Sequence, residues 1–99
     1  MAQFDLYAGL GDAAGYVVDV QADFLDRLDT RVVIPLLSRE RAEIVRELTP
    51  VVEIGGEAHV LLTQELSAIP RRELRKKVGS LAEYRDEIRR ALDILLVGF

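Results

Sequence analysis

The last nineteen residues of the chain read LAEYRDEIRRALDILLVGF (81–99) and contain its clearest periodic pattern. Apolar side chains recur there at steps of three and four, with charged side chains between them; the apolar ones are Leu81, Tyr84, Ile88, Leu92 and Leu95. This spacing predicts an amphipathic α-helix whose apolar stripe packs on another element. Ser80 followed by Glu83 predicts a capping box at the start of this helix.

The predicted helix ends in an apolar tip, ILLVGF (94–99), where the apolar side chains spread beyond a single stripe. A chain end that frays in water is usually polar, so this composition needs an explanation. Either Val97 and Phe99 fold back into the core, or they form a contact surface for a partner.

The chain before the helix is typical of an antiparallel β structure. Residues 48–54 and 57–63 are two apolar stretches on either side of Gly55 and Gly56, which predicts a tight hairpin that supports the helix. Residues 4–7 and 16–20 predict a second hairpin around the glycine-containing loop 8–15. The spacing of these glycines matches neither a dinucleotide fingerprint nor a phosphate-binding loop.

A third strand is predicted over residues 30–38 (TRVVIPLLS), which are rich in β-branched side chains. Pro35 has no backbone N–H, so we expect an edge position or a bulge there. Residues 21–29 connect this strand to the first hairpin and include Phe24 and Leu25. Residues 39–46 predict a charged loop or helical turn, and residues 64–69 extend the sheet until Pro70 ends it.

Composition limits the function. The chain has 99 residues, no cysteine and a formal net charge of −4, which predicts a single domain over 1–99 that does not coat DNA or RNA. It has no signal-peptide pattern and no membrane-span pattern, so we expect a cytoplasmic protein that makes no contact with a membrane. The run RRELRKK (71–77) has five cations in seven residues. It is either a solvated basic face or a contact for nucleic acid or an acidic partner.

No residue pattern specifies a reaction. His59 is the only histidine, and a lone histidine in a strand is more often hydrogen-bonded than catalytic. Asp19, Asp23 and Asp26 do not have the spacing of a calcium loop. We therefore expect no enzyme activity, no catalytic residue, no metal site and no cofactor.

Several short motifs, taken in order, resemble the CcdB family of plasmid and chromosomal toxins over nearly the whole chain. They are Gln3-Phe4, DVQAD (19–23), VIPL (33–36), REL (46–48), PVV (50–52), Ile54-Gly55 and Gly98. The resemblance implies a mainly β, SH3-like antiparallel barrel of the CcdB/MazF type, with one C-terminal helix. It also implies a homodimer with its C-termini close together, and a CcdA-like antitoxin as partner.

Family toxins bind the A subunit of DNA gyrase and trap the enzyme with its DNA cut, so the resemblance implies a gyrase inhibitor, or topoisomerase poison, that is not an enzyme. The gyrase-binding positions that it implies are Phe24, Leu25, Asp93, Leu96, Val97, Gly98 and Phe99. Val97 replaces a tryptophan of the best-known members, and Asp93 replaces an asparagine. Valine lacks the aromatic face that holds an arginine by cation–π attraction.

Two alternatives stay open. A CcdB-like protein with these two replacements could bind antitoxin without poisoning gyrase, and so serve as a co-repressor or an antitoxin sink. A MazF-like ribonuclease has the least support from the residues. Operator DNA is expected as a partner only through the toxin–antitoxin complex, in which the pair acts as a repressor in transcription regulation. The antitoxin site is not defined by the sequence, although loop 8–15 and segment 39–46 are the candidates.

Overall fold

Strand β3, Thr30–Ser38, is the central strand of the fold in a computed structural model that describes residues 2–9 and 15–98. Within those residues, seven antiparallel strands form one sheet that curls into a half-barrel. The strands are β1 Asp5–Ala8, β2 Tyr16–Asp19, β3, β4 Val51–Ile54, β5 Glu57–Leu61, β6 Ser67–Pro70 and β7 Lys76–Ser80. A single helix in this part of the chain, α1, spans Arg85–Leu96. The predicted mainly β, SH3-like fold with a C-terminal helix is confirmed.

The strand order is β4-β5-β3-β2-β1-β7, and β6 pairs with the first half of β3. Both predicted hairpins are confirmed, because β1 pairs with β2 and β4 pairs with β5. The β4–β5 turn requires positive φ angles, which Gly55 and Gly56 adopt at 60° and 83°. Of the loop predicted between β1 and β2, residues 10–14 lie outside the described residues.

The predicted position of Pro35 is wrong, because β3 is neither at an edge nor bulged there. β2 covers one side of β3 in continuous register, with Val17 opposite Pro35. On the other side the partner changes from β6, which pairs with residues 30–33, to β5, which pairs with residues 36–38. The Pro35 carbonyl accepts a hydrogen bond from Leu62 N on that side (2.9 Å). The N–H and C=O groups of a strand residue point to the same side of the strand. The N–H that Pro35 lacks would therefore point to the side where β3 changes its partner from β6 to β5, and no regular ladder hydrogen bond is lost there.

β6 ends at Pro70 as predicted, whereas β7 is a strand that no sequence pattern predicted. The basic run passes through a 3₁₀ turn at Arg71–Glu73 and then enters β7, which pairs with β1. A register shift between Leu6 and Tyr7 leaves Val78 as the extra residue of a bulge.

The helix begins four residues later than predicted. Ala82–Tyr84 form a 3₁₀ turn, and the Ser80 hydroxyl accepts a hydrogen bond from Ala82 N (3.1 Å). Because α1 has no side-chain cap, the predicted capping box is wrong. Ile88 of α1 belongs to the same buried apolar cluster as Val52 of β4 and Leu61 of β5, and the helix also contacts the 3₁₀ turn Thr63–Glu65 that follows β5. Glu53 N also donates a hydrogen bond to the Tyr84 hydroxyl (3.2 Å).

A cluster of apolar side chains between the sheet and α1 forms the main core. Its buried members are Phe4, Leu6, Val18, Val20, Ile34, Leu36, Val52, Leu61, Leu81 and Ile88. A smaller cluster of Tyr7, Val33 and Leu74 includes a residue of the segment between β6 and β7. No helix in the described part of the chain has the length and apolarity needed to cross a membrane.

Candidate partner-binding site

The first group of predicted site residues lies on the connection between β2 and β3. Asp23–Leu25 form a 3₁₀ turn, in which the Phe24 side chain is 83% exposed and Leu25 is half-buried. A phenylalanine exposed to this extent leaves a large apolar area in water, which is typical of a contact surface. The Phe24 side chain is therefore accessible to a partner, whereas Leu25 is partly covered.

Hydrogen bonds hold this turn in place. Leu25 N donates to Ala22 O (3.0 Å), and Gln21 Nε2 donates to Leu25 O (3.2 Å). At the start of the turn, Asp23 Oδ1 accepts a hydrogen bond from Gln3 N (2.7 Å). The turn is thus tied to the N-terminal segment, and Phe24 stays outside the core.

A buried arginine supports the same connection from beneath. Arg31 on β3 is fully buried, and its Nε and Nη2 lie 2.9 Å and 2.6 Å from Asp19 Oδ2. Its Nη1 donates to Asp26 Oδ1 (3.0 Å). Burial raises the pKa of the Asp19 carboxyl above its ordinary value, although hydrogen bonds from Arg31 and the Gln21 backbone N–H act in the opposite direction.

A second arginine holds the connection from the outside. Arg71 Nη2 lies 3.6 Å from Asp26 Oδ2, and Arg71 Nη1 donates to the Asp26 carbonyl. Arg71 N also donates to the Asp29 carbonyl (2.8 Å). Asp26 is therefore held between Arg31 and Arg71, two residues after Phe24.

Sequence reasoning missed both arginines as site residues. Arg31 is 12 residues from Asp19, and Arg71 is 45 residues from Asp26. Neither separation corresponds to a local motif, so only the pairing of β3 with β2 and β6 brings these side chains together. The one available signal was an arginine inside an otherwise apolar strand, because a buried charge requires a partner.

The second group of predicted site residues lies at the end of α1. Leu96 and Val97 are 70% and 64% exposed, whereas Ile88 and Ala91 of the same helix are buried. Val97 therefore does not fold back into the core. Phe99, for which both interpretations were open, lies outside the described residues.

Gly98 ends the helix with a φ of 97°, a conformation that favours glycine. Its N–H donates to the carbonyls of Asp93 (3.0 Å) and Ile94 (3.1 Å), and Val97 N also donates to Asp93 O (2.8 Å). The Asp93 carbonyl thus closes the helix end, while its side chain is exposed. No hydrogen bond or ion pair joins this group to the Phe24 turn within residues 2–9 and 15–98.

The predicted candidates for antitoxin contact border a cleft of about 350 Å³ at the far end of β3. Gly15 and Arg41 line it, together with Tyr16, Glu57 and His59. His59 is buried, with Nδ1 3.1 Å from the Glu57 carbonyl and its ring edge-on to Tyr16. These contacts hold the His59 imidazole in a fixed position beside the cleft. In the described part of the chain, no three carboxylate or imidazole side chains converge as metal ligands.

The comparison with protein families agrees with this architecture. A family model described as CcdB protein matches residues 3–98. The chain therefore belongs to the CcdB family, as the short motifs indicated.

Solved structures similar to this chain share its fold at low sequence identity. One is an endoribonuclease in complex with its cognate antitoxin from Mycobacterial species, with a TM-score of 0.79 and 14% identity over 98% of this chain and 95% of that chain. Another is the Mycobacterium tuberculosis toxin MazF-mt6, with a TM-score of 0.76 and 16% identity over 94% of this chain and 96% of that chain. At these identities the similarity concerns the fold, which CcdB-type and MazF-type proteins share.

Proposed function

We propose that this chain is the single-domain toxin of a type II toxin–antitoxin pair, that it binds the A subunit of DNA gyrase, and that it traps the gyrase–DNA cleavage complex. Membership of the CcdB family supports the toxin class. The observation that carries the binding proposal is the exposure of Leu96 and Val97 at the end of a helix whose preceding apolar residues are buried. This function requires the protein to act in the cytoplasm, where gyrase and DNA meet.

The binding surface in this proposal consists of Phe24, Leu25, Asp93, Leu96, Val97, Gly98 and Phe99. Burial of an exposed leucine or phenylalanine side chain contributes about 1.5–3 kcal/mol, so even two such contacts support specific binding. A homodimer that brings two helix ends together doubles this apolar surface. The exposed carboxylate of Asp93 can then pair with an arginine of gyrase, which replaces part of the attraction that a tryptophan would provide.

The decisive experiment is calorimetric titration of the purified protein with a fragment of the gyrase A subunit. We compare the intact protein with Leu96→Ser/Val97→Ser and with a deletion of residues 97–99. Ile44→Ser/Val45→Ser is a matched control, because Ile44 and Val45 are 46% and 44% exposed on a different segment. Binding that is lost in both helix-end variants and kept in the control supports the site. Equal binding by all four proteins contradicts it.

A second candidate function is antitoxin binding without gyrase poisoning, which Val97 and Asp93 favour because neither provides an aromatic face. Overexpression of the chain without antitoxin separates the two functions. Growth arrest with trapped gyrase–DNA complexes supports the poison. Normal growth with a folded protein supports a co-repressor or antitoxin sink.

The shared fold also makes a MazF-like ribonuclease a testable alternative. Its natural location would be the cleft beside His59, where Arg41 and Glu57 provide charged side chains. We propose that the chain is not an enzyme, because His59 is buried and hydrogen-bonded to the backbone. RNA cleavage by the purified protein that disappears in Arg41→Ala would contradict this proposal.

We also propose a CcdA-like antitoxin as partner, and operator DNA contact only through the complex of toxin and antitoxin. Gly15 and Arg41, at the cleft beside His59, lie in the two segments that we assign to antitoxin contact. The similar endoribonuclease structure contains a cognate antitoxin, which supports a partner of this class. Arg41→Glu should weaken antitoxin binding without changing gyrase binding, as measured by calorimetry with each partner.

A further inference from the structure

We propose that the outer edge of β7 binds an extended, acidic polypeptide segment as an additional strand. β7 is the last strand in the sheet order, so its only strand partner among the described residues is β1. A strand at such an edge offers backbone N–H and C=O groups to an extended chain. This surface differs from the gyrase-binding surface, and the inference does not depend on the proposed function.

Positive charge is concentrated along this edge. Arg72, Arg75, Lys76 and Lys77 are exposed, and Glu73 is the one acid in the run 71–77. Lys77 Nζ is 3.3 Å from Asp5 Oδ1, whereas the ion pairs of the described residues do not include Arg72, Arg75 or Lys76. We call Arg72, Arg75, Lys76 and Lys77 the basic edge. They contrast with a chain whose formal net charge is −4.

The region next to the basic edge adds a recess and an apolar contact. Arg72 and Leu74 line a cleft of about 520 Å³ together with Arg71 and Asp29. Asp29 is an acid in this cleft, and Arg71 is already paired with Asp26. At the bulge, Val78 is 44% exposed. Lys76 and Lys77 pair with consecutive residues of β1, so their side chains lie on opposite faces of the sheet. An incoming strand with alternating acidic and apolar residues can therefore place its carboxylates on the face of Lys76, while Lys77 on the other face is already paired with Asp5. Val78 offers an apolar contact at the bulge.

The positive charge of the basic edge indicates which kind of partner can pair with β7. A second copy paired through the same edge would place lysines close to lysines, and like charges on neighbouring strands destabilise pairing. Nucleic acid cannot add to a backbone ladder, and residues 71–80 contain no aromatic side chain for base stacking. An acidic strand satisfies both the backbone groups and the cations, so it is the partner that fits.

The test uses a labelled seven-residue peptide, Glu-Thr-Glu-Val-Glu-Thr-Glu, and fluorescence anisotropy at low and high salt. Two control peptides separate the contributions: one has lysine in place of glutamate, and the other has proline in place of threonine and valine. The proline peptide keeps the charge but loses the N–H groups that a strand needs. We expect binding of the first peptide that weakens with salt, at least about fivefold weaker binding of the proline peptide, and no binding of the lysine peptide.

Protein variants assign the binding to β7. Arg72→Glu/Lys76→Glu should lower the affinity at least about tenfold, because each substitution replaces an attraction by a repulsion. Arg85→Glu/Arg89→Glu changes the net charge equally at exposed positions on α1 and should have little effect. Lys76→Gln is the milder variant if the first double variant fails to fold. Hydrogen exchange of the β7 amides should slow when the peptide binds.

Three outcomes would overturn the proposal. One is equal affinity for the proline and threonine peptides, which would show charge attraction without strand pairing. Another is equal weakening in the test and control variants, which would place the peptide elsewhere. The third is tighter binding of a 20-base-pair DNA duplex than of the acidic peptide, since it would identify the basic edge as a nucleic-acid contact.

Discussion

At the scale of single residues, Arg31 connects the core to the proposed binding surface. It lies at the start of the central strand, is fully buried, and binds Asp19 on one side and Asp26 on the other. Burying two charges costs free energy that their attraction offsets only when the geometry is good. The pair therefore contributes more to the position of the Phe24 turn than to overall stability.

The first prediction concerns this buried pair. Arg31→Met should lower the free energy of unfolding by about 3–5 kcal/mol, because Asp19 is left as an unpaired buried carboxylate. Arg31→Met/Asp19→Asn should cost clearly less than the two single variants together, since the unpaired charge is gone. Urea unfolding measures both effects. Additive losses would mean that the two side chains do not act as a pair.

The second prediction concerns the outer arginine. Arg71→Gln removes the contacts with Asp26 and should weaken binding to the gyrase A fragment through the altered position of Phe24. The same substitution should have no further effect in a Phe24→Ser protein, because the residue that it positions is absent. Calorimetry on the intact protein, the two single variants and the double variant measures the coupling free energy between Arg71 and Phe24 in gyrase binding. Equal losses in both backgrounds would show that Arg71 does not act through Phe24.

At the scale of secondary-structure elements, α1 has one end in the core and the other in solvent. Ile88 is buried in the apolar cluster that also contains Val52 and Leu61, while Leu96 is exposed two turns later. The third prediction follows from this contrast. Ile88→Ala should lower the free energy of unfolding by about 2–5 kcal/mol, and Leu96→Ala should change it by less than about 0.5 kcal/mol.

Thermal and urea unfolding of the two alanine variants measure this difference in stability. In gyrase binding we expect the larger effect from Leu96→Ala. Leu96→Ala should weaken binding while its stability is unchanged. A large loss of stability in Leu96→Ala would mean that this side chain is covered in the free protein, and the proposed contact surface would then be wrong.

Elements with a local signal could be predicted from the sequence. The Gly55-Gly56 turn and the apolar period of α1 are encoded within a few residues, and both are confirmed. β7 could not be predicted, because exposed lysines at an edge strand produce no alternating apolar pattern. Its partner β1 is also about 70 residues away in the sequence. The position of Pro35 was predicted wrongly for a similar reason, since a proline fits there only because β5 ends and β6 begins beside it.

The candidate site also contains residues that could be predicted from the sequence and residues that could not. The exposed residues Phe24, Leu96 and Val97 could be identified from the family motifs and the apolar tip. Their supports, Arg31 and Arg71, could not, because ion pairs across 12 and 45 residues exist only after the sheet has formed. The motifs and the apolar tip thus predicted which apolar side chains are available to a partner, and the three-dimensional structure was needed to show what holds the Phe24 turn in place.

At the scale of the whole molecule, the proposed homodimer gives the fourth prediction. If two chains bury apolar surface against each other, mass action makes the unfolding temperature rise with protein concentration. Thermal unfolding over a hundredfold range of concentration, together with sedimentation equilibrium, measures this dependence. A constant unfolding temperature and a monomer mass would contradict the homodimer and leave the fold of each chain intact.

The double pairing of β3 determines where the length of this chain can change. One added or deleted residue within Thr30–Ser38 would shift the register with β2 and with β5 or β6 together, and would turn alternate side chains from the core to solvent. The connection 42–48 between β3 and β4 has no strand pairing to disturb. We therefore expect insertions that leave the fold intact at 42–48 and none within β3.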